Sequence, residues 1–174
     1  LQNSSRPLDE AADAFGEAIR LNEELPAAYA AMGNLMAQNQ KFDDAFYWYS
    51  EAIKRMPENE NLYILRANMS RASGNFEQAL TLYETASRQF PQNSRIWYEI
   101  AWTYRQTEQK AEAIESLNQA LNLDSSPSSD FLLRAGLIFE WAQEEDRAVL
   151  AYQKVLLIEP ENEVALARLD SLQP

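Results

Sequence analysis

The stretch from residue 60 to 93, ENLYILRANMSRASGNFEQALTLYETASRQFPQN, decides the fold because its pattern recurs along the chain. Within it, Ala79 stands 34 residues after Ala45 and 34 residues before Ala113, and Ala148 follows 35 residues further on. Self-similarity at a fixed period of this length is the sequence signature of a repeat architecture. The repeat therefore sets the fold class more firmly than any single motif does.

Other positions of the pattern recur in step with this alanine. Four residues later stand Tyr49, Tyr83, Leu117 and Tyr152. Seven residues later stand Ala52, Ala86, Ala120 and Val155. Upstream, a large residue recurs at Tyr29, Tyr63, Trp97 and Leu132. Four residues after each of these stand Gly33, Ala67, Ala101 and Gly136. Large and small side chains thus alternate at fixed spacing, as the packing of antiparallel helices requires.

Each repeat predicts two helices. Tyr29, Met32 and Met36 have the i, i+3, i+7 spacing of one helical face, and the residues from Ala45 to Ile53 repeat that spacing. Pro57-Glu58-Asn59 ends the pair and recurs as Pro91-Gln92-Asn93 and Pro160-Glu161-Asn162. Proline cannot continue a helix, and asparagine two residues later favours an N-cap of the next one. The fourth junction, residues 124–128, carries the one-residue insertion, so we expect it to be the most irregular loop.

Composition excludes several function classes. The 174 residues include 27 acidic and 15 basic side chains, which gives a net charge of −12. The chain has no cysteine and no histidine, so thiolate nucleophiles, zinc sites of that type and Ser-His-Asp triads are excluded. The acidic surface disfavours nucleic acids and anionic membranes, and no apolar run reaches the ~18 residues of a membrane-spanning helix. We therefore expect no metal, no cofactor and no catalytic residue.

These residues resemble the tetratricopeptide repeat family, whose 34-residue units carry small, aromatic and proline residues at the same positions. The resemblance implies an all-α fold, a right-handed superhelical solenoid of antiparallel helix pairs. It covers residues 1–174 as a single solenoid with four full repeats, at 26–59, 60–93, 94–128 and 129–162. Residues 8–21 match an N-terminal half-repeat, and residues 163–174 match a capping helix with Leu166 and Leu169 facing inward. Arg66 and Ser70 depart from the family pattern, because apolar residues usually occupy their positions.

In that family the first helix of each repeat lines a concave groove, and the resemblance implies that the same positions here bind a peptide. The candidate groove residues are Asn34, Asn68, Arg71, Arg95, Tyr98, Trp102, Arg105, Arg134, Leu137 and Trp141. We expect Trp102 and Tyr98 to act as apolar anchors and the arginines as polar ones, because tryptophan and arginine dominate binding interfaces. The full set of groove positions carries four arginines and three acids, which favours an acidic or carboxylate-ended peptide.

Each feature of the groove also has a purely structural interpretation. The arginines could pair with Glu99, Asp130 and Glu140 rather than with a ligand. Packing between helices could bury Trp102 or Trp141, and the asparagines could serve the fold instead of a peptide backbone. The carboxylate clamp of chaperone-binding relatives is not reproduced, because its lysine position holds Ala30 or Ile64.

The sequence as a whole predicts a protein–protein interaction module that binds a peptide or helix of another protein in this groove. The alternative is a structural module that self-associates through its ends or groove, as a homo-oligomer. Neither hypothesis includes an enzyme, a nucleic acid or direct membrane insertion. A soluble, cytoplasmic location is favoured, although the chain opens at Leu1 and an upstream signal or anchor could have been removed, so the compartment stays open.

Overall fold

The structure, a computed structural model, describes residues 6–23 and 25–172, with side chains from residue 10 onward. Within these residues the chain forms ten helices and no strand, which confirms the predicted all-α repeat fold. Residues 1–5, 24 and 173–174, which the predicted solenoid includes, lie outside the described residues. The helices are α1 Arg6–Leu21, α2 Pro26–Gln38, α3 Phe42–Arg55, α4 Glu60–Ala72, α5 Phe76–Gln89, α6 Ser94–Gln106, α7 Lys110–Leu123, α8 Ser129–Ala142, α9 Glu145–Ile158 and α10 Glu163–Leu172.

The helices divide into two compact units, with α1–α5 in unit 1 and α6–α10 in unit 2. In unit 1 each helix packs on the next along the chain. In unit 2, α6 pairs with α7, α8 pairs with α9, α10 packs on α9, and α6 also contacts α8. That residues 1–174 form a single solenoid stays a prediction.

Helix pairs approach closely where the repeat places its small residues. Alanines at the repeating position are fully buried, namely Ala45, Ala79, Ala113 and Ala148. A Cβ added at Gly33 would lie 2.7 Å from Cδ1 of Tyr49, and a Cβ at Gly136 would meet the ring of Tyr152. The small residue of the first helix and the aromatic ring of the second therefore interlock, as close packing demands.

Asparagine side chains cap the helices that follow the proline junctions. Asn59 accepts from the amide of Asn61 at 3.2 Å, Asn93 from Arg95 at 3.0 Å, and Asn162 from Ala165 at 3.0 Å. The predicted N-caps are thus confirmed. At the fourth junction Ser128 caps α8 through the amide of Phe131 at 3.3 Å, and residues 124–128 lack the turn that the other three junctions share.

A left-handed residue separates the two helices inside each repeat. Gln40 has φ 58°, Gly74 has φ 84°, Glu108 has φ 61° and Gln143 has φ 71°. All four stand at the fifteenth residue of their repeat, and the amide of each donates to a carbonyl three residues earlier. Only Gly74 is a residue that adopts this conformation without strain.

The polar residues of α4 that depart from the family pattern are accommodated differently. Ser70 is 2% exposed, and its hydroxyl donates to Oε1 of Gln78 at 2.9 Å. Arg66 lies 5.7 Å from the ring of Tyr63 and 5.9 Å from that of Phe46, but its buried Nε has no hydrogen-bond partner. Burial lowers the pKa of Arg66 from its ordinary value. The Ser70 hydroxyl therefore has a hydrogen-bond partner, whereas Arg66 has aromatic contacts but no hydrogen bond for its Nε.

The inward face of α10 differs from the prediction. Leu166 is 48% exposed, so the expectation that it faces inward is wrong. Ala165 is fully buried instead, and Leu169 and Leu172 pack against the core of unit 2. These three residues have i, i+4, i+7 spacing and share one face, while Leu166 lies about 100° further round the helix.

Candidate functional site

Seven of the ten predicted groove residues lie together on α6 and α8 of unit 2. We call this surface the α6–α8 strip and define it as Arg95, Tyr98, Trp102, Arg105, Arg134, Leu137 and Trp141. The other three, Asn34 on α2 and Asn68 and Arg71 on α4, lie in unit 1 and are described separately.

Two tryptophans and an arginine form a stack near the C-terminal ends of α6 and α8. The Arg105 guanidinium carbon lies 4.8 Å from the Trp102 ring centre and 6.0 Å from that of Trp141. Lys110 Nζ lies 5.7 Å from the Trp141 ring centre. Cation–π contacts of this length stabilise the arginine by electrostatic attraction to the ring faces. We call Trp102, Arg105 and Trp141 the tryptophan–arginine stack.

Arg105 has no carboxylate partner among the described residues. Its Nε is buried and makes no hydrogen bond. The predicted alternative partner Glu140 instead accepts from the Tyr152 hydroxyl at 2.8 Å and pairs with Arg168 at 3.1 Å. Aromatic rings rather than a carboxylate therefore contact the guanidinium.

Both tryptophans of the stack are half-buried. Trp102 and Trp141 pack against the core of unit 2 while remaining partly accessible. The interpretation that helix packing buries them therefore holds in part, since each side chain keeps some accessible surface.

Around Tyr98, at the N-terminal ends of the same helices, lies a polar cavity of about 320 Å³. Its lining includes Arg95 and Tyr98 from α6 and Asp130, Phe131 and Arg134 from α8. Neither Ser128 nor Phe131, which also line it, was predicted as a site residue. Their closeness in sequence to the predicted groove residue Arg134 is the signal that could have found them.

Tyr98 presents neither its ring nor its hydroxyl to solvent. The side chain is 5% exposed, and Phe131 covers the ring at a centroid distance of 5.2 Å. This corrects the expectation that Tyr98 is an apolar anchor. Burial raises the pKa of Tyr98 to about 12, so the group stays protonated at neutral pH, while the neighbouring Arg134 guanidinium opposes that rise.

Arg134, on the same cavity, is paired. Its Nε lies 3.0 Å from a carboxylate oxygen of Asp130, one turn earlier on α8. Half of its side chain is exposed, so this is a surface ion pair that contributes little to stability. The interpretation that the groove arginines pair with acidic residues of the chain thus holds for Arg134. It fails for Arg105, which has no such partner among the described residues.

The predicted asparagines in unit 1 serve the fold. The Tyr49 hydroxyl donates to Oδ1 of Asn34 at 2.8 Å, and the Tyr83 hydroxyl donates to Oδ1 of Asn68. Arg71 also donates to Asn68, at 3.0 Å. In both cases the aromatic residue of the second helix satisfies the asparagine oxygen of the first. Each asparagine thus has its amide oxygen engaged within the fold.

No group of three or more acidic side chains suited to a metal ion occurs in the described part of the chain. None of the helices from residue 6 to 172 is long and apolar enough to cross a membrane.

The sequence matches a known protein family. The sequence matches the family model described as tetratricopeptide repeat over residues 4–60, 65–130 and 98–163. The chain belongs to the tetratricopeptide repeat family. Members of this family generally bind other proteins as scaffolds and lack enzymatic activity. No curated protein matches the sequence in a direct comparison.

Solved tetratricopeptide structures share the fold. TTC0263 from Thermus thermophilus aligns with a TM-score of 0.73 at 20% identity, over 95% of this chain and 90% of its own. MamA from Desulfovibrio magneticus RS-1 aligns at 0.71 and 19%, over 89% and 87%. YrrB, described as a TPR protein with an unusual peptide-binding site, aligns at 0.65 and 18%, over 94% and 84%. At these identities the likeness concerns the fold alone.

Proposed function

We propose that this tetratricopeptide protein is an interaction module whose α6–α8 strip binds a peptide or helical segment of another protein. The observation that carries the proposal is the tryptophan–arginine stack. A guanidinium fixed between two indole rings loses little conformational freedom when it binds, so its interaction with a carboxylate is pre-organised. Partly accessible tryptophans beside it supply apolar area of the kind that dominates interface energetics.

The chemistry of the strip favours an acidic or carboxylate-ended segment. Arg105 has donors without carboxylate partners, and a guanidinium binds a carboxylate through two parallel hydrogen bonds. At the other end, the half-exposed donor Arg134 lines the polar cavity together with Tyr98. Leu137 lies between these two ends on α8 and offers apolar contact. A bound segment would thus meet a polar donor at each end and apolar surface between.

The residues in unit 1 take a lesser role in this proposal. Asn34 and Asn68 would donate through their NH₂ groups to a peptide backbone, because their oxygens already serve the tyrosines. Arg71 would be held in position through its bond to Asn68.

The test begins with random twelve-residue peptides selected by display on the intact chain. The selected peptide is then titrated against Trp102→Ala and Arg105→Gln by fluorescence anisotropy. The matched controls are Trp48→Ala, which removes another half-buried tryptophan from α3, and Arg88→Gln, which removes an exposed arginine from α5. We expect Trp102→Ala to weaken binding by about 2 kcal/mol, as loss of an interface anchor does. Equal affinities for stack and control variants would refute the proposal.

Self-association through the terminal helices remains the alternative. The exposed side chains Val164 and Leu166 on α10, each 48% accessible, would contribute to such a contact. Light scattering over a hundredfold range of concentration tests it. A mass that rises with concentration in wild type, but not in Leu166→Glu, would favour self-association.

A further inference from the structure

We propose that the exposed face of α9 in unit 2 is a second docking surface, and that its partner is an acidic amphipathic helix of another protein. The surface, which we call the α9 stripe, consists of Arg147, Leu150, Lys154, Leu157 and Ile158. It goes beyond the α6–α8 strip, since it involves the second helix of a repeat and none of the strip residues.

The stripe is apolar to a degree that a solvated helix face does not need. Leu150 is 57% exposed, Leu157 is 83% exposed and Ile158 is 54% exposed. Their i, i+7, i+8 spacing places them on one side of α9. Single exposed leucines are ordinary on protein surfaces, but aligned ones mark an interaction site.

A pocket opens beside this stripe. It has a volume of about 160 Å³ and lies between Leu121 of α7, Phe139 of α8, and Leu150 and Ala151 of α9. A cavity of about 150 Å³ lined by such residues holds a benzene molecule. The pocket therefore has the size of one leucine or phenylalanine side chain, which is the anchor that an amphipathic helix inserts into a groove.

Two cations flank the pocket in a chain whose net charge is −12. Arg147 lies over the Phe139 ring at 4.0 Å, donates to Asn118 Oδ1, and has Glu144 at 3.6 Å. Its guanidinium is thus fixed at the rim and partly neutralised. Lys154 is exposed and forms no ion pair within the described residues. These two are the charged residues of the pocket lining, which contains no acidic side chain, and they favour an acidic partner because opposite potentials steer and orient association.

A second copy of this chain fits the stripe poorly. A symmetric dimer would set the same patch against itself, so that the cations Arg147 and Lys154 of both copies would share one interface. An acidic helix with leucines at i, i+4 and i+7 would instead place opposite charges beside Arg147 and Lys154.

The experiment uses two blocked sixteen-residue helical peptides that share this leucine pattern. One carries glutamate and alanine at the remaining positions, and the other carries lysine and alanine. Each is labelled and titrated by anisotropy with the full chain. We expect saturable binding of the glutamate peptide, at least about tenfold tighter than that of the lysine peptide, because charge complementarity selects between them.

Variants locate the binding. Leu157→Glu should weaken the glutamate peptide by about tenfold or more, since an exposed leucine that becomes buried contributes that much. Lys154→Glu should weaken it by about threefold to tenfold, the range for reversal of an exposed ion pair. The matched controls Leu21→Glu, at a residue 72% exposed on α1, and Lys41→Glu, at an exposed lysine before α3, make the same charge changes and should leave affinity unchanged.

Four outcomes would overturn the proposal. The first is the absence of saturable binding, and the second is equal affinity for the two peptides. The third is binding that Trp102→Ala abolishes while Leu157→Glu leaves it intact, because the α6–α8 strip would then be the site. The fourth is a dimer in light scattering that Leu157→Glu dissociates, because a second copy would then occupy the stripe. If only the strip proposal is wrong, the strip variants will leave the affinity for the display-selected peptide unchanged. The glutamate peptide will still bind the α9 stripe.

Discussion

Exchanging residues at the left-handed position inside each repeat should shift stability in opposite directions. Gly74→Ala puts a side chain where φ is 84°, and Glu108→Gly removes one where φ is 61°. A Cβ at Gly74 meets no atom within 4 Å, so the backbone conformation alone decides the outcome. Glu108 is exposed, and its amide donates to the carbonyl of Arg105 at 3.2 Å, as that of Gly74 does to Arg71 at 3.0 Å.

The magnitude follows from two opposing contributions. A left-handed conformation costs an ordinary residue about 1–2 kcal/mol. Glycine loses about 0.4–1 kcal/mol more than alanine through the entropy of the unfolded chain. The difference predicts that Gly74→Ala lowers the free energy of unfolding by about 0.5–1 kcal/mol. Glu108→Gly should raise it by a similar amount.

Urea unfolding followed by far-UV circular dichroism measures the free energy of unfolding of both variants. The dependence of that free energy on urea concentration, the m value, is held common to wild type. Adding Gln40→Gly and Gln143→Gly to Glu108→Gly should raise stability by about 1.5–3 kcal/mol in total, because the three amides donate to three different carbonyls. If Gly74→Ala and Glu108→Gly shift the midpoint in the same direction, the shared geometry of these four turns is wrong.

Three further substitutions test the packing. Arg66→Met should raise the free energy of unfolding by about 1 kcal/mol, because it removes a buried Nε that has no partner; an unchanged urea midpoint would contradict this. Asn93→Ala should lower it by about 1 kcal/mol through loss of the α6 cap, whereas Gln109→Ala should not, since the Gln109 side chain makes no capping bond to α7. Ala79→Leu should lower the thermal midpoint through overpacking that costs about 1–3 kcal/mol, and an unaffected midpoint would show that the repeat register is displaced.

The fold could be predicted because each local signal repeats. Proline followed by asparagine indicated three helix caps, and the 34-residue spacing of the alanines indicated the buried face of every second helix. The inward face of α10 was harder to predict, because a closing helix has no following repeat to fix its rotation. Ala165 and Leu166 are adjacent in the sequence. Hydrophobicity alone favours burial of the leucine, but the alanine is the buried residue.

The site was predictable in position but not in geometry. Family positions located Trp102, Arg105 and Trp141 on first helices, yet the stacking of one arginine between two rings depends on contact between α6 and α8. The covering of Tyr98 by Phe131 likewise depends on neighbouring helices. The pocket beside α9 escaped prediction for the same reason, since three helices contribute to its walls.

The central claim, that the α6–α8 strip binds the partner, is tested most directly by the four tryptophan indole N–H signals in a ¹H–¹⁵N spectrum. The chain carries one tryptophan on α3, Trp48, and three on α6 and α8, namely Trp97, Trp102 and Trp141. During titration with the display-selected peptide, the account predicts that the Trp102 and Trp141 signals shift in proportion to saturation. The Trp97 indole nitrogen is buried, so its signal and that of Trp48 should stay in place. Shifts confined to Trp48 or Trp97, with Trp102 and Trp141 unmoved at saturation, would contradict the account.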